Sequence, residues 1–173
     1  LELNGEVPGV GFGEPVIDGS RIIGLMEASA GAGGLAVPAP FIKSVLDARA
    51  KGDYRGLGFF NFYWQRAENP ETLKALKMER TDHGVIVIQP LAKIGEESIL
   101  KARDVILEID GFAIGPEGDY QDPIYGRTML EALATRGRWA GDGVPMTIWR
   151  DGRQMKLEYK LAKAEFTDEM IPD

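Results

Sequence analysis

The chain has 173 residues, of which 44% are hydrophobic, and this is enough for one ordinary domain with a further fragment. Its net charge of -7 and pI near 4.9 argue against nucleic acid or an anionic membrane as the main partner, because either would need a basic face. The absence of cysteine excludes disulfides, zinc–cysteine clusters and thiol catalysis.

The first 50 residues predict three strands and a helix. Two short apolar runs flank a turn at residues 18–20, which is typical of a hairpin. The small residues at 28–34 predict a flexible connection. Residues 35–38 then predict a strand that ends at proline, and residues 41–49 predict a helix that stops at Gly52. The chain begins at Leu1 in the middle of a pattern, so we expect it to be a piece of a longer protein.

The densest aromatic surface lies at residues 59–64, directly after a glycine-containing turn at residues 54–58. Large rings in a short run predict a strand that begins with free backbone N–H groups. Such groups can hold the terminal carboxylate of a peptide, while the strand pairs with the peptide backbone. An ordinary core strand is the alternative interpretation.

The middle of the chain predicts further helices and strands. Asn69 suits the N-cap of a helix, since Pro70 follows at the first helical position. Residues 85–88 and 104–109 predict strands, and residues 94–100 predict a short helix between them. Residues 115–126 contain two prolines and three glycines, so they predict a long irregular loop.

The last part of the chain predicts a helix and a closing hairpin. Residues 128–136 have apolar side chains at helical spacing and end at Gly137. Residues 144–149 and 155–161 predict two strands joined by a turn at residues 151–152. From residue 164 the sequence is acidic and unpatterned, which predicts a tail or linker.

Together these segments resemble the PDZ domain of HtrA/Deg-type serine endopeptidases. Residues 84–111 and the run Trp149-Arg150-Asp151-Gly152 carry the resemblance, and residues 65–70 look like the Deg branch of plants and its bacterial relatives. The first 45 residues resemble the end of a trypsin-like domain. The resemblance implies a remnant of that domain at 1–50, a PDZ domain at 53–163 and a tail at 164–173.

The fold that this resemblance implies is mostly β with α (α+β). We expect a PDZ-like, partly open β-barrel or sandwich with two or three helices. The last strands and exit helix of a trypsin-like β-barrel would precede it.

The family's nucleophile is the serine of a Gly-Asn-Ser-Gly-Gly-Pro run. Here the corresponding run is Val10-Gly11-Phe12-Gly13-Glu14-Pro15, which places Phe12 in the serine position. A phenyl ring cannot attack a carbonyl. The only histidine, His83, is expected to be a surface or turn residue. We therefore predict no catalytic residue and no enzyme activity in this chain, whose parent would be a serine endopeptidase or a degenerate one.

Two registers compete for the carboxylate-binding loop. The literal motif is Gly56-Leu57-Gly58-Phe59, whereas spacing to residues 65–70 favours residues 59–62. In the favoured register Asn61 replaces the family's glycine, and asparagine tolerates left-handed backbone angles. The turn before Asp104 also departs from the family, with Ala102-Arg103 in place of a Pro-Gly-like pair.

The resemblance implies a peptide site whose residues come from this loop and from the predicted helix at 128–136. They are Phe59, Phe60, Asn61, Phe62, Trp64, Met129, Leu130 and Leu133. Ordinary core packing is the alternative for the last three.

The leading hypothesis is a binding module that captures C-terminal or extended peptides by strand addition, in substrate recognition or regulation. Its partners would be peptides or unfolded-protein segments with apolar C-terminal residues, as in protein quality control. The resemblance also implies homo-oligomers formed through the protease-like domain and an extracytoplasmic, for example periplasmic, location. No nucleic acid, membrane span, metal or cofactor is expected.

Two other hypotheses remain open. The chain could be part of an active endopeptidase whose catalytic residues lie outside it. Alternatively, it could be an assembly domain whose groove is blocked by residues 115–126 or by a neighbouring subunit.

Overall fold

The structure is a computed structural model that describes residues 2–4, 11–30, 33–78, 83–91 and 98–164. The chain divides into two compact units, Leu1–Tyr54 (unit 1) and Arg55–Asp173 (unit 2). The predicted tail beyond residue 164 lies outside the described residues.

Unit 1 is an antiparallel sheet followed by a helix. Its elements are β1 (Glu2–Asn4), β2 (Pro15–Asp18), β3 (Arg21–Ala30), β4 (Gly33–Pro38) and α1 (Ala39–Lys51), with strand order β1-β4-β3-β2. The predicted hairpin is confirmed, because β2 pairs with β3. The predicted flexible connection at 28–34 is wrong. Residues 28–30 pair with residues 33–35, since a ladder of backbone hydrogen bonds does not require large side chains.

The helix of unit 1 ends where the sequence predicts. Gly52 follows α1 with φ of 78°, and its N–H group bonds to the carbonyls of Ala48 and Arg49. Glycine adopts this left-handed conformation without a Cβ clash, so it terminates the helix cleanly.

Unit 2 is built around a six-stranded antiparallel sheet. Its first elements are β5 (Gly58–Phe59), β6 (Phe62–Arg66), α2 (Pro70–Ala75), β7 (Val85–Pro90), β8 (Val105–Ile109) and β9 (Phe112–Ala113). They are followed by β10 (Asp119–Asp122), β11 (Gly126–Met129), a 3-10 helix (Leu130–Ala134), β12 (Gly143–Arg150), β13 (Arg153–Lys160) and β14 (Ala162–Lys163). The sheet order is β13-β12-β8-β7-β6, with β9 on β8. The predicted fold class is confirmed: the described residues are mostly β, and their sheets are open.

The larger core cluster of unit 2 lies on one face of this sheet, and a smaller cluster packs α2 against the other face. Val85, Ile106 and Ile148 from three central strands are 0% exposed, as the continuous apolar runs predict. The 3-10 helix contributes Leu130 and Leu133 to the same cluster. The helix therefore packs on the sheet although it has only five residues.

Several local predictions for unit 2 are confirmed. The Oδ1 atom of Asn69 accepts hydrogen bonds from the N–H groups of Glu71 (3.0 Å) and Thr72 (3.3 Å), which caps α2. The turn after β8 has positive φ at Asp110 (53°) and Gly111 (83°), the signature of a type I′ hairpin. The predicted strands at 85–88, 104–109, 144–149 and 155–161 correspond to β7, β8, β12 and β13.

Two predictions for residues 115–136 are wrong. Residues 115–126 are not irregular throughout, because β10 and β11 pair as a hairpin. The predicted helix at 128–136 is shorter and of another type, since Thr128 and Met129 belong to β11 and only Leu130–Ala134 forms a 3-10 helix. Most of the short helix predicted at 94–100 lies outside the described residues, and residues 99 and 100 form a bend.

Candidate peptide-binding site

The strand β6 lies at the edge of the unit 2 sheet. It pairs with β7 on one side, and the described residues include no strand on its other side. Phe62 is buried and Trp64 half-buried on the core face, whereas Tyr63 is exposed on the opposite face. An edge strand presents unpaired backbone N–H and C=O groups to which another chain can add.

The aromatic run is interrupted between β5 and β6 by a tight turn. The N–H group of Phe62 bonds to the carbonyl of Phe60 at 3.0 Å. Both rings point into the core, where each lies within 5.8 Å of the Tyr159 ring, centroid to centroid. Edge-on contacts of this kind stabilise an aromatic cluster beyond simple burial. The turn is therefore anchored by its own phenylalanines.

Asn61, at the centre of this turn, is bonded to the fold through three of its polar groups. Its backbone N–H group donates to the Tyr159 hydroxyl at 2.9 Å. Its carbonyl accepts from the N–H group of Leu91 at 2.9 Å, and its side-chain amide donates to the Leu91 carbonyl. Asn61 is not among the described residues with positive φ, so the left-handed geometry expected for it is wrong.

The partner of the Asn61 amide is a buried phenol. Tyr159 is 6% exposed, and burial raises the pKa of its hydroxyl although the bond from Asn61 opposes the shift. The hydroxyl is therefore neutral near neutral pH, and its oxygen serves as the acceptor for this amide.

Gly118 and Glu131, from the start of the β10–β11 hairpin and from the 3-10 helix, form a wall opposite β6. The indole N–H group of Trp64 donates to a carboxylate oxygen of Glu131 at 3.0 Å. The indole ring also lies directly on Gly118, where a Cβ atom would come within 2.2 Å of it. The carbonyl of Gly118 accepts a hydrogen bond from the N–H group of Leu130 at 2.8 Å. Trp64 thus reaches from the edge strand to the opposite wall.

The hairpin β10–β11 that carries this wall is held by a buried carboxylate. One oxygen of Asp122 accepts from the N–H groups of Ile124 (2.8 Å) and Tyr125 (3.1 Å), and the other accepts from Arg136 (2.9 Å) and the Tyr120 hydroxyl (3.3 Å). Burial alone would raise the pKa of Asp122, but these amide and guanidinium bonds outweigh it and lower the pKa. The carboxylate is therefore charged and fully bonded inside the fold.

Sequence reasoning missed this aspartate and Glu131. Asp122 is followed by Pro123, and an Asp-Pro pair is a turn signal that could have indicated the hairpin. No local signal indicates Glu131, because its partner Trp64 lies 67 residues away in sequence.

The structure brings most of the predicted site residues into one region, with different exposures. Phe60, Phe62, Leu130 and Leu133 are buried in one core cluster, against which Trp64 packs. Phe59 and Met129 are 46% and 45% exposed. Phe59 also pairs with Ala162 of β14, so its backbone already belongs to a ladder.

The two residues considered for catalysis lie in different units. Phe12 is 86% exposed in a turn before β2, and His83 is exposed at a bend before β7. The described residues contain no group of three or more His, Asp or Glu side chains arranged to hold a metal ion.

Comparisons with known proteins show what the chain is similar to. No family model matches the chain. It is 29% identical over 153 residues to "Putative protease Do-like 13" of Arabidopsis thaliana, a match covering 86% of this chain and 31% of that protein. It is 23% identical over 171 residues to "Putative protease Do-like 11, mitochondrial" of the same plant, covering 96% of this chain and 30% of that protein. The chain is similar to proteases of the HtrA/Do-like type.

The predicted resemblance to HtrA/Deg-type proteases is thereby confirmed, and the chain spans about a third of the length of these two relatives. The solved structure of "HtrA-type protease AlgW with tripeptide" has a TM-score of 0.54 at 20% identity, covering 86% of this chain and 47% of that one. The two chains share a fold. No helix within the described ranges is long and apolar enough to cross a membrane.

Proposed function

We propose that unit 2 is a PDZ-type module that captures extended peptide segments by adding them to β6. The observation that carries this proposal is the position of β6 at the end of the sheet order, with no strand beyond it among the described residues. A peptide on this edge would gain backbone hydrogen bonds from β6. The half-buried Trp64 and the exposed Met129 would meet its apolar side chains.

The hydrogen bonds at Asn61 limit how the C-terminus of such a peptide can bind. The N–H groups of Asn61 and Phe62 already have partners, Tyr159 and Phe60. A terminal carboxylate would have to displace the tyrosine hydroxyl to reach the Asn61 amide. The proposed ligand is therefore an extended segment held mainly along β6, and its free C-terminus contributes less than backbone pairing does.

Support also comes from the family. The solved structure of an HtrA-type protease holds a tripeptide, and its chain has the same fold as this one. Homologues named as proteases make substrate selection a natural task for a peptide-binding module.

The test is a fluorescence anisotropy titration of the whole chain with labelled peptides that end in apolar residues, each as a free acid and as a C-terminal amide. We expect saturable binding, with the amide weaker by less than about tenfold, a difference of about 1.4 kcal/mol. Tyr159→Phe removes the internal partner of the Asn61 amide, so we expect it to increase the preference for the free acid. Tyr63→Phe removes an exposed hydroxyl on the opposite face of β6 and is the matched control.

A blocked groove is the second candidate, favoured by the contact of the Trp64 ring with Gly118 and Glu131. In that case unit 2 would serve assembly. A folded chain that binds none of these peptides, and whose sedimentation shows self-association, would favour this alternative over peptide capture.

For the parent protein, the proposal is a protease-like domain without the usual nucleophile, because Phe12 is the residue that the sequence predicts for the serine position. We also propose that the parent protein is extracytoplasmic and that it forms homo-oligomers through its protease-like domain. Labelling of the full-length protein by a fluorophosphonate serine probe would contradict the missing nucleophile. Cell fractionation would test the location.

A further inference from the structure

A basic cleft lies outside the β6 site, where the end of α2, the turn before β8 and the β12–β13 turn meet. Its volume is about 280 Å³. Its charged lining residues are Lys77, Lys101, Arg103, Asp104, Arg150 and Asp151, and the indole of Trp149 forms part of its wall.

The cleft is positively charged although the chain is acidic. Four basic and two acidic lining residues give a net charge of +2, whereas the whole chain has -7. Asp104 is 1% exposed and fully engaged, because Arg150 binds both of its oxygens at 2.7 and 2.6 Å. The three remaining cations, Lys77, Lys101 and Arg103, therefore face the cleft, where the only exposed carboxylate among the lining residues is that of Asp151.

Two of these cations are positioned by an unusual backbone. Lys77 has φ of 57° and Arg103 has φ of 76°, in the left-handed region that disfavours side chains with a Cβ atom. Such conformations cluster at functional sites more often than elsewhere. The stem of Lys77 packs on Gly152, where a Cβ atom would lie 3.3 Å from its Cδ atom. Arg103 donates to the Ala75 carbonyl at 3.2 Å.

The turn at Arg103 is also where the sequence departs from the family pattern. A glycine would adopt this φ of 76° at lower cost, so the arginine at this position carries backbone strain. Its bond to Ala75 uses one donor of the guanidinium group, and Arg103 remains exposed at the cleft. Trp149 is fixed beside it by a 3.0 Å bond from its indole to the Leu76 carbonyl.

We propose that this cleft binds an acidic peptide segment, with a carboxylate side chain between Lys77 and Lys101 and an apolar neighbour against Trp149. Lysines act as separate point charges, and one donor of Arg103 is already bonded to the Ala75 carbonyl, so the cleft offers phosphate fewer donors than a free arginine would. A small inorganic anion would also leave the indole wall without a contact. This site does not depend on the peptide site at β6.

The experiment is an NMR titration of the whole chain with a blocked tetrapeptide of alternating glutamate and leucine. We expect shifts at the Trp149 indole N–H and at the amides of Lys77 and Arg103, and little change at Asn61. Binding should weaken several-fold between about 20 and about 200 mM salt. The glutamine version of the peptide should bind at least about fivefold more weakly, since surface charge contacts are individually small.

The double variant Lys77→Gln/Lys101→Gln should lose about tenfold in affinity, because it removes two of the facing cations. Lys156→Gln/Lys160→Gln makes the same charge change on exposed β13 residues outside the cleft, and it should bind as the unchanged chain does. Equal loss in both variants, equal binding of the glutamine peptide, or equally tight binding of inorganic phosphate would each overturn the proposal. Shifts confined to β6 would also overturn it, while leaving the function proposed for β6 intact.

Discussion

Two aspartates of unit 2, Asp104 and Asp122, are almost completely buried, with 1% and 2% exposure, and each is bonded to one arginine. Asp104 forms a bidentate pair with Arg150, whose side chain is only 17% exposed. Asp122 accepts one bond from Arg136, whose side chain is 36% exposed. The first carboxylate accepts two bonds from its arginine and one from the N–H group of Lys101, whereas the second accepts one bond from its arginine and two from the amides of its own turn.

This difference shows how a buried charge can be satisfied in two ways. At Asp104 the charge is neutralised by an arginine that is distant in sequence. Removal of either side chain therefore leaves the other one buried without a counter-charge. Within a hairpin the local backbone supplies donors, so losing the arginine leaves part of the network in place.

The largest effect is expected from Asp104→Asn, which leaves Arg150 without its counter-charge in a mostly buried setting. We expect a loss of about 3 kcal/mol in the free energy of unfolding. Urea unfolding followed by tryptophan fluorescence measures unit 2 alone, because Trp64, Trp139 and Trp149 all lie there. Asp151→Asn, in the neighbouring exposed turn, should change stability by less than about 0.5 kcal/mol. If the two variants unfold alike, the dependence on the bidentate pair is wrong.

A smaller loss, about 1 to 2 kcal/mol, is expected from Asp122→Asn in the same assay. The asparagine oxygen can still accept from the N–H groups of Ile124 and Tyr125, and Arg136 can turn toward water. Glu117→Gln is the control, since that carboxylate is exposed and its pair with Arg127 is screened. A loss equal to that of Asp104→Asn would remove the distinction between the two aspartates.

A pH-dependent effect should accompany the Asp122 network. Burial, together with the nearby Asp122 charge, raises the pKa of Tyr120 to about 12, above the usual value of about 10. The folded state therefore holds this proton more tightly than the unfolded state. The stabilisation is complete below pH of about 10 and is lost as the pH rises toward about 12. Tyr120→Phe should unfold with a flatter dependence in this range, and unchanged curves would contradict the assignment.

The smallest effect is expected where the hairpin wall meets β6. Glu131→Gln keeps an acceptor for the Trp64 indole but removes its charge, so we expect a loss below about 1 kcal/mol. The emission spectrum of the chain should shift as the indole environment changes. Glu158→Gln, an exposed change on β13, should leave the spectrum as it is.

The two aspartates also show what the sequence could predict. Asp104 precedes a continuous apolar run, so its place at the start of β8 follows from local pattern. Asp122 lies among prolines and glycines, and its arginine is 14 residues away, so the hairpin was expected to be an irregular loop. The 3-10 helix was predicted too long for a related reason, because pairing with β10 extends β11 to Met129.

Long-range contacts account for the remaining differences at the site. The aromatic run and the family were predicted from residues close together in sequence. The bonding of Asn61 was not, because Tyr159 and Leu91 lie 98 and 30 residues away. No window of local sequence contains those partners, so whether backbone amides are free can only be read from the fold.

The pairing of β5 with β14 has a mechanical consequence. Gly58 pairs with Lys163, and the N–H group of Ala164 bonds to the Leu57 carbonyl at 2.9 Å, so the chain enters and leaves this ladder at the same end. A force that pulls the N-terminal and C-terminal ends of unit 2 apart would break these hydrogen bonds one after another. It would not load all of them at the same time. Under tension this short ladder would open first, while the central sheet remained intact.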